Sequence, residues 1–68
     1  MTVTLNGKGV TLDTPVTLEE LLRSNHISTE QSGIAVALNW KVIRRAEWPS
    51  QKLSNGDTIE IVTAMQGG

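Results

Sequence analysis

The sequence predicts an α+β domain: a mixed sheet of four to five strands with one main helix packed across one face. Three observations carry this. Polar and apolar residues alternate at 2–5, at 10–12 and again at 58–63, the period of a half-buried strand. Only one stretch, Thr17 to Leu22, has helical spacing behind a helix-start signal. Asparagine, glycine and aspartate cluster between these segments as turns.

Taken in order, Thr2-Val3-Thr4-Leu5 sends Val3 and Leu5 toward a core. Asn6-Gly7-Lys8-Gly9 is rich in turn residues, and Val10-Thr11-Leu12 resumes the alternation, so 2–12 reads as a β-hairpin. Gly7-x-Gly9 is too short for a phosphate-cradling loop and belongs to that turn. Asp13-Thr14-Pro15 breaks the strand. Thr17-Leu18-Glu19-Glu20 then fits a capping box, with Thr17 as N-cap and Glu20 reaching back. Leu18, Leu21 and Leu22 make one apolar stripe, and the helix fades near Ser24-Asn25. Residues 26–33 read as a loop. Its His26 is the sole histidine, with no nucleophile or second histidine beside it, which favours a structural role.

Ile34-Ala35-Val36-Ala37-Leu38 is a continuous apolar run, the pattern of a central strand covered at least in part on both faces. Asn39-Trp40-Lys41 reads as a tight turn that leaves Trp40 partly exposed, and Val42-Ile43 as a short strand. Residues 44–49 can form one helical turn closed by Pro49, with Trp48 at the core edge. Ser54-Asn55-Gly56-Asp57 is a strong turn signal before the last strand, where Ile59 and Ile61 face the core and Glu60 faces solvent.

The element order is thus β-β-α-β-β-β. The single helix needs the first hairpin and the last strand together as a sheet to cover, which gives a β-grasp, ubiquitin-like arrangement. Residues 1–64 form this domain, and 65–68 are expected as a flexible tail. At 68 residues the chain is one small domain whose core is feasible without staples. With no cysteine there are no disulfides, thiolate metal ligands or cysteine nucleophile. A net charge of −1 argues against generic nucleic-acid binding. No apolar run is long enough to span a bilayer, and Met1 leads straight into a polar strand, so no membrane partner and a cytoplasmic location are expected. Lys41, Arg44, Arg45 and Lys52 gather four of the six basic residues, either as a solvated turn or as a docking patch for an acidic partner.

The sequence ends Met65-Gln66-Gly67-Gly68. Glycine is about 7% of average composition, so a terminal pair arises by chance in roughly one chain in two hundred. A frayed end is one reading. The other is a chemical handle. The Gly68 α-carboxylate is ionised at neutral pH, with a reference pKa of about 3.5, and becomes electrophilic only when activated. Met65, Gln66 and Gly67 then form the segment a partner recognises, and a side chain on either of the last two residues would collide with the walls of a narrow channel. Val62, Ala64 and Met65 lie near the tail root, and Ala35 and Ala37 leave an apolar sheet face with little cover. Val62, Ala64, Ala35, Ala37, Arg44 and Arg45 together are the candidate partner surface.

With these motifs in order, the chain resembles the ubiquitin-like sulfur carriers, most closely the ThiS family. The alternation through Leu5 with Asn6-Gly7 is similar to the family's opening strand, and Thr17 to Leu22 to its helix start. Val36-Ala37-Leu38-Asn39, then Val42-Ile43-Arg44 and Glu47-Trp48, resemble its central strand and the segment before a tryptophan. Arg44 stands where that pattern often has proline. Asn55-Gly56-Asp57 resembles its final turn, and the resemblance covers nearly the whole chain.

It implies a sulfur carrier that is not an enzyme and binds no cofactor of its own. An E1-like (ThiF-like) adenylating enzyme would use ATP and Mg²⁺ to activate Gly68. A cysteine desulfurase relay would supply sulfur for a thiocarboxylate, and a ThiG-like thiazole synthase would consume it in thiamine biosynthesis. Three alternatives stay open: a molybdopterin-synthase small subunit, a ubiquitin-like modifier and a non-covalent β-grasp binding module. The residues Val62-Thr63-Ala64-Met65 before the glycines, without proline, favour the thiazole branch.

Overall fold

The structure is a computed structural model, and it describes residues 1–30 and 33–63. Five strands and one helix follow in the order β1 (Thr2–Leu5), β2 (Lys8–Thr11), α1 (Leu18–Ser24), β3 (Ile34–Leu38), β4 (Lys41–Ile43) and β5 (Thr58–Thr63), with a 3₁₀ turn at Arg45–Glu47 before β5. The strands form one sheet in the order β2-β1-β5-β3-β4. β1 runs parallel to β5 and every other neighbouring pair is antiparallel, so the sheet is mixed as expected.

The two hairpin turns are tighter than the turn composition implied. Lys8 and Gly9 belong to β2, and Lys41 to β4. Only Asn6-Gly7 (φ 49° and 81°) and Asn39-Trp40 (φ 50° and 71°) remain in the turns. Two consecutive left-handed residues match the right-handed twist of the flanking strands, so a two-residue loop closes each hairpin.

Helix α1 has seven residues, too short to persist in isolation. Its N-terminus is therefore informative. The Thr17 hydroxyl accepts from the Glu20 amide (3.3 Å), and the Glu20 carboxylate accepts from the Thr17 amide (2.9 Å), completing the expected capping box. The amides of Leu18 and Glu19 donate to the carbonyls of Gln51 (2.7 Å) and Trp48 (3.1 Å). All the donors a helix start leaves open are thereby matched, two of them by the segment that follows the 3₁₀ turn. At the other end Asn25 caps the helix, and His26 (φ 62°) takes the left-handed position, its amide donating to the Arg23 carbonyl. His26 thus ends a helix, which is the structural role its sequence context favoured.

The core lies between α1 and one face of the sheet. Leu18, Leu21 and Leu22 meet Val3, Val36 and Ile59, and Trp48 and Leu53 close the side. Trp48 is buried, with its indole N–H donating to the Ile43 carbonyl (2.9 Å). One expectation needs correction. Ile34–Leu38 lies inside the sheet, but β5 is its middle strand, and β3 is covered on one face only. Val36 is fully buried while Ala35 is exposed. Alanines suffice on the bare face because they place little apolar area in water.

Leu22→Ala is expected to cost about 2–5 kcal/mol, the range for truncating a buried leucine, and Thr17→Ala about 1 kcal/mol for the lost cap. Urea unfolding measures both. A Leu22→Ala loss below about 0.5 kcal/mol, the surface range, would mean that the helix packs by another face.

Candidate functional site

The sheet face turned away from α1 has no secondary structure over it among the described residues. Strand register fixes which side chains point there. Opposed residues share a face, and Val36 pairs with Ile61 on the core side. The pairs Ala35–Val62, Ala37–Glu60 and Ala37–Val42 therefore point outward, as do Thr4–Thr58 and Thr2–Thr11.

This open face has two halves. On β2, β1 and the start of β5 it carries threonines, which solvent tolerates. On β3, β4 and the end of β5 it carries Ala35, Ala37, Val42 and Val62, with Glu60 as the acid among them. Val42 is 68% exposed and Val62 is 62% exposed. A contiguous apolar strip that the fold leaves in water marks an interaction surface. It borders the point where β5 ends and the chain runs on toward Gly68.

Among the expected partner residues, the structure brings Val62, Ala35 and Ala37 together. Val42 belongs with them and was missed: the sequence placed it in a strand, but only the register with Ala37 shows which way it points. The two arginines separate. Arg44 is extended (φ −67°, ψ 146°) just past β4, continues the outward alternation from Val42, and keeps an 83% exposed side chain. Its contact with Glu47 (3.6 Å) joins two exposed groups and is of the kind that contributes little. Arg45 is engaged on the core side. Its guanidinium lies 4.5 Å from the centroid of the Trp48 ring and donates to the Thr29 carbonyl. Arg45 is thus a packing residue that covers the buried indole. Ala64, Met65, Gln66, Gly67 and Gly68, with the expected boundary between residues 64 and 65, lie outside the described residues.

Two asparagines hold β5 beside this face. At the β1–β2 turn, the Asn6 amide donates to the Ile59 carbonyl (2.9 Å) and its Oδ1 accepts from the Ile61 amide (2.7 Å). At the β3–β4 turn, Asn39 Oδ1 accepts from the Thr58 amide (2.9 Å), while its Nδ2 donates to Asp57 Oδ1 (2.9 Å). The strand that leads to the tail is gripped from both sides.

Arg23, His26, Ile27, Ser28, Thr29 and Glu30 line a shallow surface hollow. Among the described residues no cluster of histidine and carboxylate side chains has metal-binding geometry. No helix among them is long and apolar enough to cross a membrane.

Comparison with known proteins identifies this architecture. The model of the ThiS family matches residues 3–68. The chain is 39% identical over 66 residues to the sulfur carrier protein ThiS of Thermus thermophilus, covering 97% of this chain and 98% of that one. It superposes on the crystal structure of the thiamine biosynthesis protein ThiS of Geobacter metallireducens with a TM-score of 0.83 and 30% identity over the full length of both. The solution structure of a thiamine biosynthesis protein from the same organism gives 0.77 at 30% identity, covering all of this chain and 88% of that one. The chain belongs to the ThiS family, and its fold is the β-grasp.

Val42→Thr and Val62→Thr are each expected to change stability by no more than about 0.5 kcal/mol, because neither side chain is packed. Val36→Thr, which puts a hydroxyl into the core, is expected to cost about 1–3 kcal/mol. Denaturant midpoints of the three variants check which face of the sheet is the outer one.

Proposed function

We propose that this chain is a sulfur carrier for thiazole formation in thiamine biosynthesis, with the carboxyl carbon of Gly68 as its working atom. The observation that carries the reading is the terminal Gly67-Gly68 pair, reached by the ThiS-family match that runs through residue 68. The names of the relatives, a sulfur carrier protein and a thiamine biosynthesis protein, support the same destination.

The chemistry follows from what a carboxylate lacks. Its carbon resists nucleophiles until one oxygen becomes a leaving group. In this reading an E1-like adenylating enzyme holds ATP and Mg²⁺, and a Gly68 oxygen attacks the α-phosphorus. Pyrophosphate leaves and an acyl adenylate remains. A cysteine desulfurase relay supplies sulfur as a protein persulfide, whose outer sulfur displaces AMP from the acyl carbon to form an acyl disulfide. A second thiol then reduces that S–S bond, releasing the thiocarboxylate and leaving a disulfide on the relay. A thiazole synthase takes that sulfur as a nucleophile. Each step is performed by a partner, so this chain presents Gly68 and is recognised. In this reading the carrier works beside its ATP-using partner, in the cytoplasm. Met65, Gln66 and Gly67 serve as the segment that enters the partner's channel, glycine being the residue least obstructed there. Val62, Ala35, Ala37 and Val42 serve as the surface that partner covers.

Intact mass spectrometry tests the reading. After incubation with ATP, a sulfur source and the host's adenylating enzyme, the mass should rise by the exchange of one oxygen for sulfur, localised to Gly68. An unmodified mass from an enzyme that is active on another carrier would overturn it. Deletion of Gly68 is expected to abolish the modification with an unchanged thermal midpoint, since none of the packing described above involves that residue.

A further inference from the structure

We propose that Trp40 is a docking anchor, remote from the reacting carboxylate, that inserts into an apolar pocket of the adenylating partner rimmed by carboxylates. The inference rests on the carrier reading above and names a recognition element of it.

Trp40 combines two costs with no return inside the chain. It is 77% exposed, the most exposed of the large apolar residues among those described. It also sits at φ 71°, in the left-handed region that glycine enters freely and a bulky side chain does not. Its turn neighbour Asn39, also left-handed, is compensated by hydrogen bonds to Asp57 and Thr58. A strained, solvated tryptophan at a hairpin tip points to a role outside the fold. Tryptophan is among the residues most enriched at the energetic centres of interfaces.

Its position indicates how a partner would use it. β5 pairs with β3 from Ile34–Thr63 to Leu38–Ile59, so the β3–β4 turn lies at the end of the sheet opposite the tail root. Four residues of strand separate the ends of that ladder, about 13 Å at strand spacing. Val42, Ala37, Ala35 and Val62 form a continuous apolar track between them. A partner that holds the tail in its active site and covers this track reaches Trp40 at the far end.

The charge around the turn selects the partner's rim. Lys41 follows Trp40 at the tip and Arg44 follows Val42 on the open face. Of the nearby acids, Asp57 is held by Asn39 and the Ser54 amide and Glu60 lies along the strip opposite Ala37, while the exposed contact of Arg44 with Glu47 is weak enough to exchange. The activating enzyme, rather than the sulfur acceptor, is the occupant we assign. An unreactive carboxylate reaches ATP only while the carrier's body is held, and an anchor that holds the body equally before and during the reaction contributes uniform binding, which is read in KM.

The test is the KM and kcat of the full chain in ATP–pyrophosphate exchange catalysed by the host's adenylating enzyme. Trp40→Gly removes the side chain and fits the backbone, so its thermal midpoint should not fall. We expect KM for the carrier to rise about tenfold or more, equivalent to at least ~1.4 kcal/mol, with kcat little changed. Trp40→Phe should recover most of the loss, and Arg44→Glu should raise KM while leaving the fold intact. An unchanged KM for Trp40→Gly, when the wild-type chain is activated normally, overturns the anchor and spares the carrier reading. A fall in kcat alone overturns it too, since that effect lies in the chemistry. Self-association of the wild-type chain that Trp40→Gly abolishes, with KM unaffected, would assign the tip to a second copy instead. A wild-type chain that supports no exchange overturns both readings together.

Discussion

One seven-residue helix has to cover a five-stranded sheet, and it can cover only one side of it. That constraint arranges the rest of the molecule. The buried apolar residues, Val3, Val36, Ile59 and the three helix leucines among them, form a single cluster on the helix side, with Trp48 and Leu53 at its margin. Among the described residues no second element closes the other side. The helix itself persists because it is fixed from outside. The Gln51 and Trp48 carbonyls accept its first amides, so the segment 48–53, which brings Trp48 and Leu53 to the core, also caps the helix. Capping and core closure are one interaction here, and loss of either would loosen the other.

A bare sheet face is normally a liability, and the way the chain handles it divides the face in two. Threonines cover β2, β1 and the start of β5, pairing β-branched shape with a hydroxyl that water can satisfy. The half on β3, β4 and the end of β5 carries alanine and valine instead. Packing does not demand this, because those side chains touch no core. The apolar half also contains the strand end that leads to the tail. The exposed apolar residues thus gather beside Thr63, the end of β5.

Much of this was legible in the sequence, and the limits have physical causes. The capping box, the leucine stripe and the Ser54–Asp57 turn are local, and each appears where its residues indicated. Residues 8, 9 and 41 were assigned to turns because turn composition does not reveal how few residues a left-handed pair needs to reverse a strand. The apolar run 34–38 reads as a central strand covered at least in part on both faces, although its two alanines already suggest a lightly covered side. Alanine is apolar on any scale yet small enough to remain bare, so the pattern cannot tell a covered face from a lightly exposed one. The placement of Val42 beside Ala37, and of β5 between β1 and β3, depends on pairing register between distant segments, which periodicity does not encode. Arg45 illustrates the same limit. Its charge in a basic run suggested a partner, and only the folded chain puts Trp48 beneath it.

The residues that stabilise the domain and those the proposed function would use form separate sets. The core uses the inward set of every strand, while the outward apolar set and the Asn39–Trp40 tip contribute little to packing. Asn6 and Asn39 belong to neither set alone. Each sits at a hairpin tip and hydrogen-bonds β5, from the β1 side and from the β3 side, at residues 57–61. A parallel β1–β5 pair of two registered residues would be a weak brace for a strand that must hold its direction. The two side chains supply what that ladder lacks. They fix β5 so that Val62 stays on the open face and the chain leaves the sheet at a constant point. Under the proposed reading, in which Gly68 is presented to a partner, a fixed direction of β5 at Thr63 lets the partner's hold on the body set where the following residues begin.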